Sequence, residues 1–125
     1  MQVNRQNAPP GIAKSTHNLI WTSIEERRHV RFFYDAKERI SEPHDYGIQN
    51  GQVRLLVYQF GGESNTGRLP AWRLVSVDGI SDLKFLSTTF PGNRPAPSGQ
   101  HHNWDQIFIR VGERKAEQRC IRARL

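Results

Sequence analysis

At His29 the apolar period of this chain changes from three-and-four to two. Ahead of it, Ile20, Ile24 and either Trp21 or Arg27 recur at helical spacing, which predicts a helix over His17 to Arg28 with Ser15 or Thr16 as its N-cap. Behind it, Val30, Phe32 and Tyr34 alternate with Arg31 and Phe33, the pattern of a half-buried strand. A helix this short with so narrow an apolar face needs a sheet beneath it. Ser23-x-x-Glu26 matches a capping box, but it lies inside the helical pattern and is read as coincidence.

Turn chemistry divides the chain beyond Tyr34 into further strands. Asp35-Ala36-Lys37 leads into a second strand, Glu38 to Glu42, which Pro43 should end or place at an edge because it has no amide to donate. Asn50-Gly51 is the strongest hairpin signal, since both residues tolerate the positive φ of a type I′ turn. Val53 to Phe60 is the most apolar strand. Gly61 to Gly67 has no periodicity and is expected to be a mobile loop closed by Pro70. Trp72 to Val77 and Ile80 to Leu86 read as two further strands joined by a hairpin turn at Asp78-Gly79. Five short strands after one helix predict a mainly β fold, a small closed five-stranded barrel with an N-terminal helix over one opening.

The flanks are polar. Residues 1–16 are broken by Pro9-Pro10-Gly11 and are expected to be a loose leader ahead of the barrel domain at 17–90. Residues 91–103 form a Pro/Gly linker, and 104–125 a basic C-terminal extension in which Ile107, Ile109 and Val111 alternate as an extra strand and Glu113 to Leu125 carries good helix formers. The full 125 residues can close one hydrophobic core but not two, which excludes a multi-domain enzyme.

Eighteen basic against twelve acidic residues leave a formal charge of +6, and fourteen of the basic residues are Arg. Residues 30–90 hold seven of each sign, so the surplus lies toward the ends. Guanidinium groups form bidentate contacts with phosphate and carboxylate, which points to anionic partners. The single cysteine, Cys120, cannot form an internal disulfide and suits a reducing compartment. With no apolar signal core at the N-terminus and no apolar run longer than Leu55 to Tyr58, the expectation is a cytoplasmic protein without a membrane partner.

Motifs for phosphate loops, zinc hydrolases, paired-cysteine redox sites and serine nucleophile elbows are all missing. His101-His102 with Cys120 is the best metal-ligand set, and His44-Asp45 beside Glu42 could orient acid-base chemistry. The first reads better as solvated linker and the second as a polar strand end, so no metal, no cofactor and no catalysis are expected. The competing class is a small metal-dependent hydrolase using His44, Asp45 and His101 or His102. The Arg-rich tail around Cys120 reads either as a nucleic-acid contact or as a solvated face paired with Glu113 and Glu117. More informative are Arg31, Arg39, Arg54 and Arg73, which alternate with apolar neighbours and so are expected on one sheet face together with Tyr34, Tyr58 and Trp72. Guanidinium groups beside aromatic rings suit a flat anionic ligand, a nucleotide or a single-stranded base.

The order of elements resembles the WYL domain, an Sm-like or SH3-like barrel often found in bacterial transcriptional regulators. The resemblance covers residues 18 to about 90. It rests on Leu19 to Arg28, Val30-Arg31-Phe32-Phe33-Tyr34, Arg39-Ile40-Ser41-Glu42-Pro43-His44-Asp45-Tyr46-Gly47, Asn50-Gly51, Leu55-Leu56-Val57-Tyr58, and Trp72-Arg73-Leu74 to Ile80. It implies a ligand-sensing module linked to transcriptional or defence regulation. Tyr34, Arg39, His44, Tyr58 and Arg73 match its pocket-side positions, to which the alternation of Arg and aromatic residues adds Arg54 and Trp72. The chain departs from the pattern where Val53-Arg54-Leu55 aligns with the signature Trp-Tyr-Leu and where Gly79 stands in place of a common Arg. With only about seventeen residues ahead of the helix, the expectation is a stand-alone sensor, a subunit that docks a protein partner or a second copy, or a small nucleic-acid-binding protein.

Overall fold

The computed structural model describes residues 2–64, 68–92, 94 and 104–112. One helix, α1 (Lys14–Glu25), precedes five strands: β1 (Arg28–Tyr34), β2 (Lys37–Gln49), β3 (Gln52–Gly62), β4 (Ala71–Ser76) and β5 (Ser81–Thr89). A sixth, β6 (Gln106–Arg110), follows the 91–103 segment. All six belong to one antiparallel sheet, so the fold is mainly β.

Both early hairpins are tight two-residue turns with left-handed backbone. Asp35 and Ala36 lie at φ 54° and 60°, Asn50 and Gly51 at 52° and 77°, as a type I′ geometry requires. The expected hairpin at Asp78-Gly79 does not form. Val77–Gly79 is instead a single 3₁₀ turn, and the strands on either side lie at opposite ends of the order β4-β3-β2-β1-β5. Five Cα-to-Cα steps lead from Ser76 to Ser81, a reach of at most about 18 Å, less where the turn coils. Four strand spacings across a flat sheet amount to about 19 Å. The sheet therefore curls until its two ends approach. Tyr34 stands at this junction, its hydroxyl accepting the Ser76 amide at 3.2 Å. Gly79 lies against the same ring, where an added Cβ would come within 2.9 Å of Tyr34 Cε1. No ladder joins β4 to β5 among the described residues, so the sheet is curled but not closed.

Pro43 neither ends β2 nor places it on the outside of the sheet. β2 leaves β1 after Ser41 and takes up β6 at Asp45, so the residue without an amide donor occupies the gap between two neighbours on that side. A bulge at the same place lets His44 fall between the pairs Pro43–Val57 and Asp45–Leu56. Further along, Gly47 faces β6 so closely that a Cβ there would lie 2.1 Å from the Gln106 carbonyl oxygen. Gly47→Ala should therefore loosen β6, costing about 1–3 kcal/mol. Hydrogen exchange reads this directly: the β6 amides should lose protection while those of β1 keep theirs.

The helix starts earlier than its sequence signals suggest, at Lys14, with Ala13 as N-cap and no side-chain cap. Its buried face is His17, Ile20, Ser23 and Ile24. Ser23 donates to the Ile20 carbonyl at 2.8 Å instead of capping a terminus. Ile20 and Ile24 meet Val30, Phe32, Tyr46, Leu55, Val57, Val75 and Val77 in the core. Val111, just past β6, joins the same cluster.

The N-terminal segment is anchored rather than loose. Pro9 is buried, Ile12 packs on the core, and Arg5 pairs with Glu25. His17 makes the central tie. Since the Asn4 carbonyl can only accept, His17 Nε2 donates to it at 2.8 Å, and the Tyr46 hydroxyl donates to Nδ1 at 2.7 Å. Leader, helix and β2 thus share one buried imidazole.

Candidate functional site

Strand register collects a second group of side chains. Glu42, Tyr58 and Trp72 are directly paired across β2, β3 and β4, alternating with the row that carries core residue Val57. Tyr58 and Trp72 stand edge to face, ring centres 5.1 Å apart, and Trp72 lies 4.9 Å from the ring of His44. Phe90 lies beyond, 5.4 Å from His44 and 5.5 Å from His29. His29 in turn touches Phe60, whose ring is 42% exposed, at 4.8 Å.

Glu42 is the polar centre of this aromatic group. It is only 5% exposed, yet three N–H donors meet its carboxylate and a fourth nitrogen stands nearby. Arg94 reaches it as a fork, Nε to Oε1 at 2.9 Å and Nη2 to Oε2 at 2.8 Å, while the guanidinium lies 3.9 Å over the Tyr58 ring. His44 donates from Nε2 at 3.1 Å, and His29 Nε2 stands 3.9 Å away. Burial by itself would raise the Glu42 pKa, but the hydrogen bonds from His44 and Arg94, reinforced by charge, win and lower it to about 2. Burial holds the His29 pKa below its ordinary value; Glu42 pulls it up and Arg94 pushes it down. The hydrogen bond to Glu42 raises that of Arg94. Glu42 is thus a buried carboxylate paired with a half-buried guanidinium, with His44 Nδ1 buried and meeting no hydrogen-bond partner among the described residues.

Of the seven residues singled out from sequence, the structure brings His44, Tyr58 and Trp72 together here. Tyr34 and Arg39 form a separate pair at the far end of β2. Arg39 is 4% exposed, donates to the Tyr34 carbonyl at 3.0 Å and to Gln59 Oε1 at 3.3 Å, and lies 5.7 Å from the Tyr34 ring centre. Arg73 bonds Ser64, and Arg54 bonds Gln52 Oε1 at 2.7 Å. The four arginines do not share one face. Arg39 pairs with Phe32 and Arg73 with Val57, both core residues, whereas Arg31 and Arg54 fall an odd number of positions from those residues and point the other way.

The His44-Asp45 dyad does not form either. His44 turns to Glu42, while Asp45 takes a bidentate pair from Arg110 on β6 at 3.1 and 3.2 Å. Among the described residues no three His, Cys, Asp or Glu side chains converge to hold a metal ion. His101, His102, Cys120 and the Arg-rich tail lie outside the described residues, as does the centre of the 61–67 loop. No described helix is long and apolar enough to cross a membrane.

Sequence reasoning missed His29, Phe60, Phe90 and Arg94. The period-two pattern of β1 already sets His29 opposite Val30, and the same pattern in β3 sets Phe60 beside Tyr58, so those two were within reach. Arg94 comes from a Pro/Gly segment with no local signal. No protein-family model, curated protein or solved structure matches the chain.

Proposed function

We propose that this chain is a regulatory binding module of the WYL type, built on an Sm-like barrel, that recognises a flat anionic ligand. A nucleotide or a single-stranded nucleic acid fits best, serving transcriptional or defence regulation. The observation that carries this reading is the group of rings beside a cation: exposed Phe60 against His29, Tyr58 against Trp72, and Arg94 over Tyr58. Bases stack on such rings without regard to sequence, and guanidinium groups take the phosphates. The order β4-β3-β2-β1-β5, with a 3₁₀ turn between β4 and β5, is what a five-stranded barrel gives when opened between its last two strands. Binding is favoured over turnover because the His44 imidazole is buried beyond the reach of a substrate and bonded to a carboxylate already held by arginine.

Fluorescence anisotropy with a labelled single-stranded oligonucleotide tests the reading. Phe60→Ala and Trp72→Ala should each weaken binding by about 1–3 kcal/mol, roughly five- to more than a hundredfold. Affinity should also fall with added salt as phosphate contacts require. Phe60 is exposed, so its loss leaves the fold intact. Unchanged affinity in both variants would sink the proposal.

A further inference from the structure

The Glu42 site has three features a guanidinium receptor needs. Its carboxylate accepts a two-bond fork, an aromatic ring lies under the bound guanidinium, and the carboxylate is withdrawn from water so that its charge is weakly screened. The host side chains that meet the carboxylate and the guanidinium belong to the sheet: Glu42, Tyr58 and Trp72 are in paired register, His44 on β2 donates to the carboxylate at 3.1 Å, and His29 on β1 stands 3.9 Å from it. The guest does not belong to the sheet. Arg94 lies beyond the end of β5, after Pro91-Gly92, and its side chain is 33% exposed while that of Glu42 is 6% exposed. Host and guest are thus separable, the host set by strand pairing and the guest supplied by a segment outside it.

We propose that this is an arginine-side-chain receptor, occupied here by the chain's own Arg94, and that the arginine of a partner polypeptide can take its place. The chemistry selects arginine over lysine, because an ammonium is a point charge that cannot present two parallel N–H bonds or lie flat on Tyr58. Arg94 competes at the high effective concentration of a tethered group, so the intact chain binds a free arginine side chain weakly and a chain without Arg94 binds it better. This inference goes beyond the nucleic-acid reading and does not depend on it.

The test is titration of Arg94→Ala with N-acetyl-arginine-methylamide, followed by calorimetry and by Trp fluorescence. Saturable one-to-one binding, at least tenfold tighter than to the unaltered chain and at least tenfold tighter than that of the lysine analogue, is expected. Glu42→Gln placed on top of Arg94→Ala should abolish it. Arg94→Lys, which retains the charge but not the fork, serves as a second vacated host and should also bind the arginine analogue better than the unaltered chain does. If neither variant binds it better than the unaltered chain, or if both bind the lysine analogue equally well, Arg94 is only an internal staple and the proposal fails. Oligonucleotide anisotropy with Phe60→Ala fails or succeeds independently of these titrations.

Discussion

Tyr46→Ala is expected to remove about 3–5 kcal/mol of stability, a large share of the roughly 5–15 kcal/mol that holds a domain of this size together. Tyr46 is fully buried, stands edge to face with Phe108 at 5.1 Å, and gives its hydroxyl proton to His17. One side chain therefore connects β2 to the helix, to the N-terminal segment through His17, and to the β6 strand. Tyr46→Phe keeps the ring and leaves His17 Nδ1 without its donor, so it should cost less, about 1–3 kcal/mol. Urea denaturation of the two variants beside the unaltered protein measures both. Equal losses would show that the hydroxyl carries all of the tie and the ring none.

Glu42→Gln is expected to cost about 3 kcal/mol at neutral pH and to lower Tm by about 10 °C. Removing one partner of a buried pair leaves the other uncompensated, which costs about 3–5 kcal/mol, less here because Arg94 is partly exposed. A carboxyl whose pKa falls from 4.5 unfolded to about 2 folded contributes about 3 kcal/mol through linkage. The sign follows from which state binds the proton more readily. Glu42 binds it less readily when folded, so its contribution is complete above about pH 5 and disappears as pH falls toward 2. His29 acts in the same direction at higher pH: its lowered pKa means the unfolded chain takes up the proton first as pH falls through the ordinary histidine range. The Tm gap between the unaltered protein and Glu42→Gln should therefore close between pH 5 and pH 2. A gap of constant width would show that Glu42 is not the group holding Arg94.

Much of the fold is written locally. The period of two at Val30, Phe32 and Tyr34, the Asn50-Gly51 turn and the apolar run at Leu55 each depend on a few adjacent residues, and each appears where its pattern places it. The departures come where a residue's role depends on a neighbour distant in sequence. Asp78-Gly79 has hairpin chemistry, but β5 pairs with β1, because a curled sheet brings that edge within reach and Tyr34 already meets Ser76 and Gly79. Pro43 has the chemistry of a strand end, but β2 continues to Gln49 because its neighbour changes from β1 to β6 at that point.

The site divides in the same way. Alternation along single strands was enough to select Tyr58 and Trp72, since each lies on a strand whose period is visible, whereas His44, beyond the expected end of its strand at Pro43, was singled out by the resemblance and by its neighbours Glu42 and Asp45. Alternation could not divide Arg39 and Arg73 from Arg31 and Arg54, because which face of each strand turns inward is set by pairing with the strands beside it. Nor could it join Glu42 to Arg94, fifty-two residues away. What the sequence by itself determined is the helix, the strands, the tight turns and the aromatic and basic residues available to a site, because propensity and periodicity act over a few residues. Only the tertiary structure decided which strands became neighbours, which arginines were buried and which one lies on Tyr58, because burying a carboxylate is favourable only where distant donors converge on it.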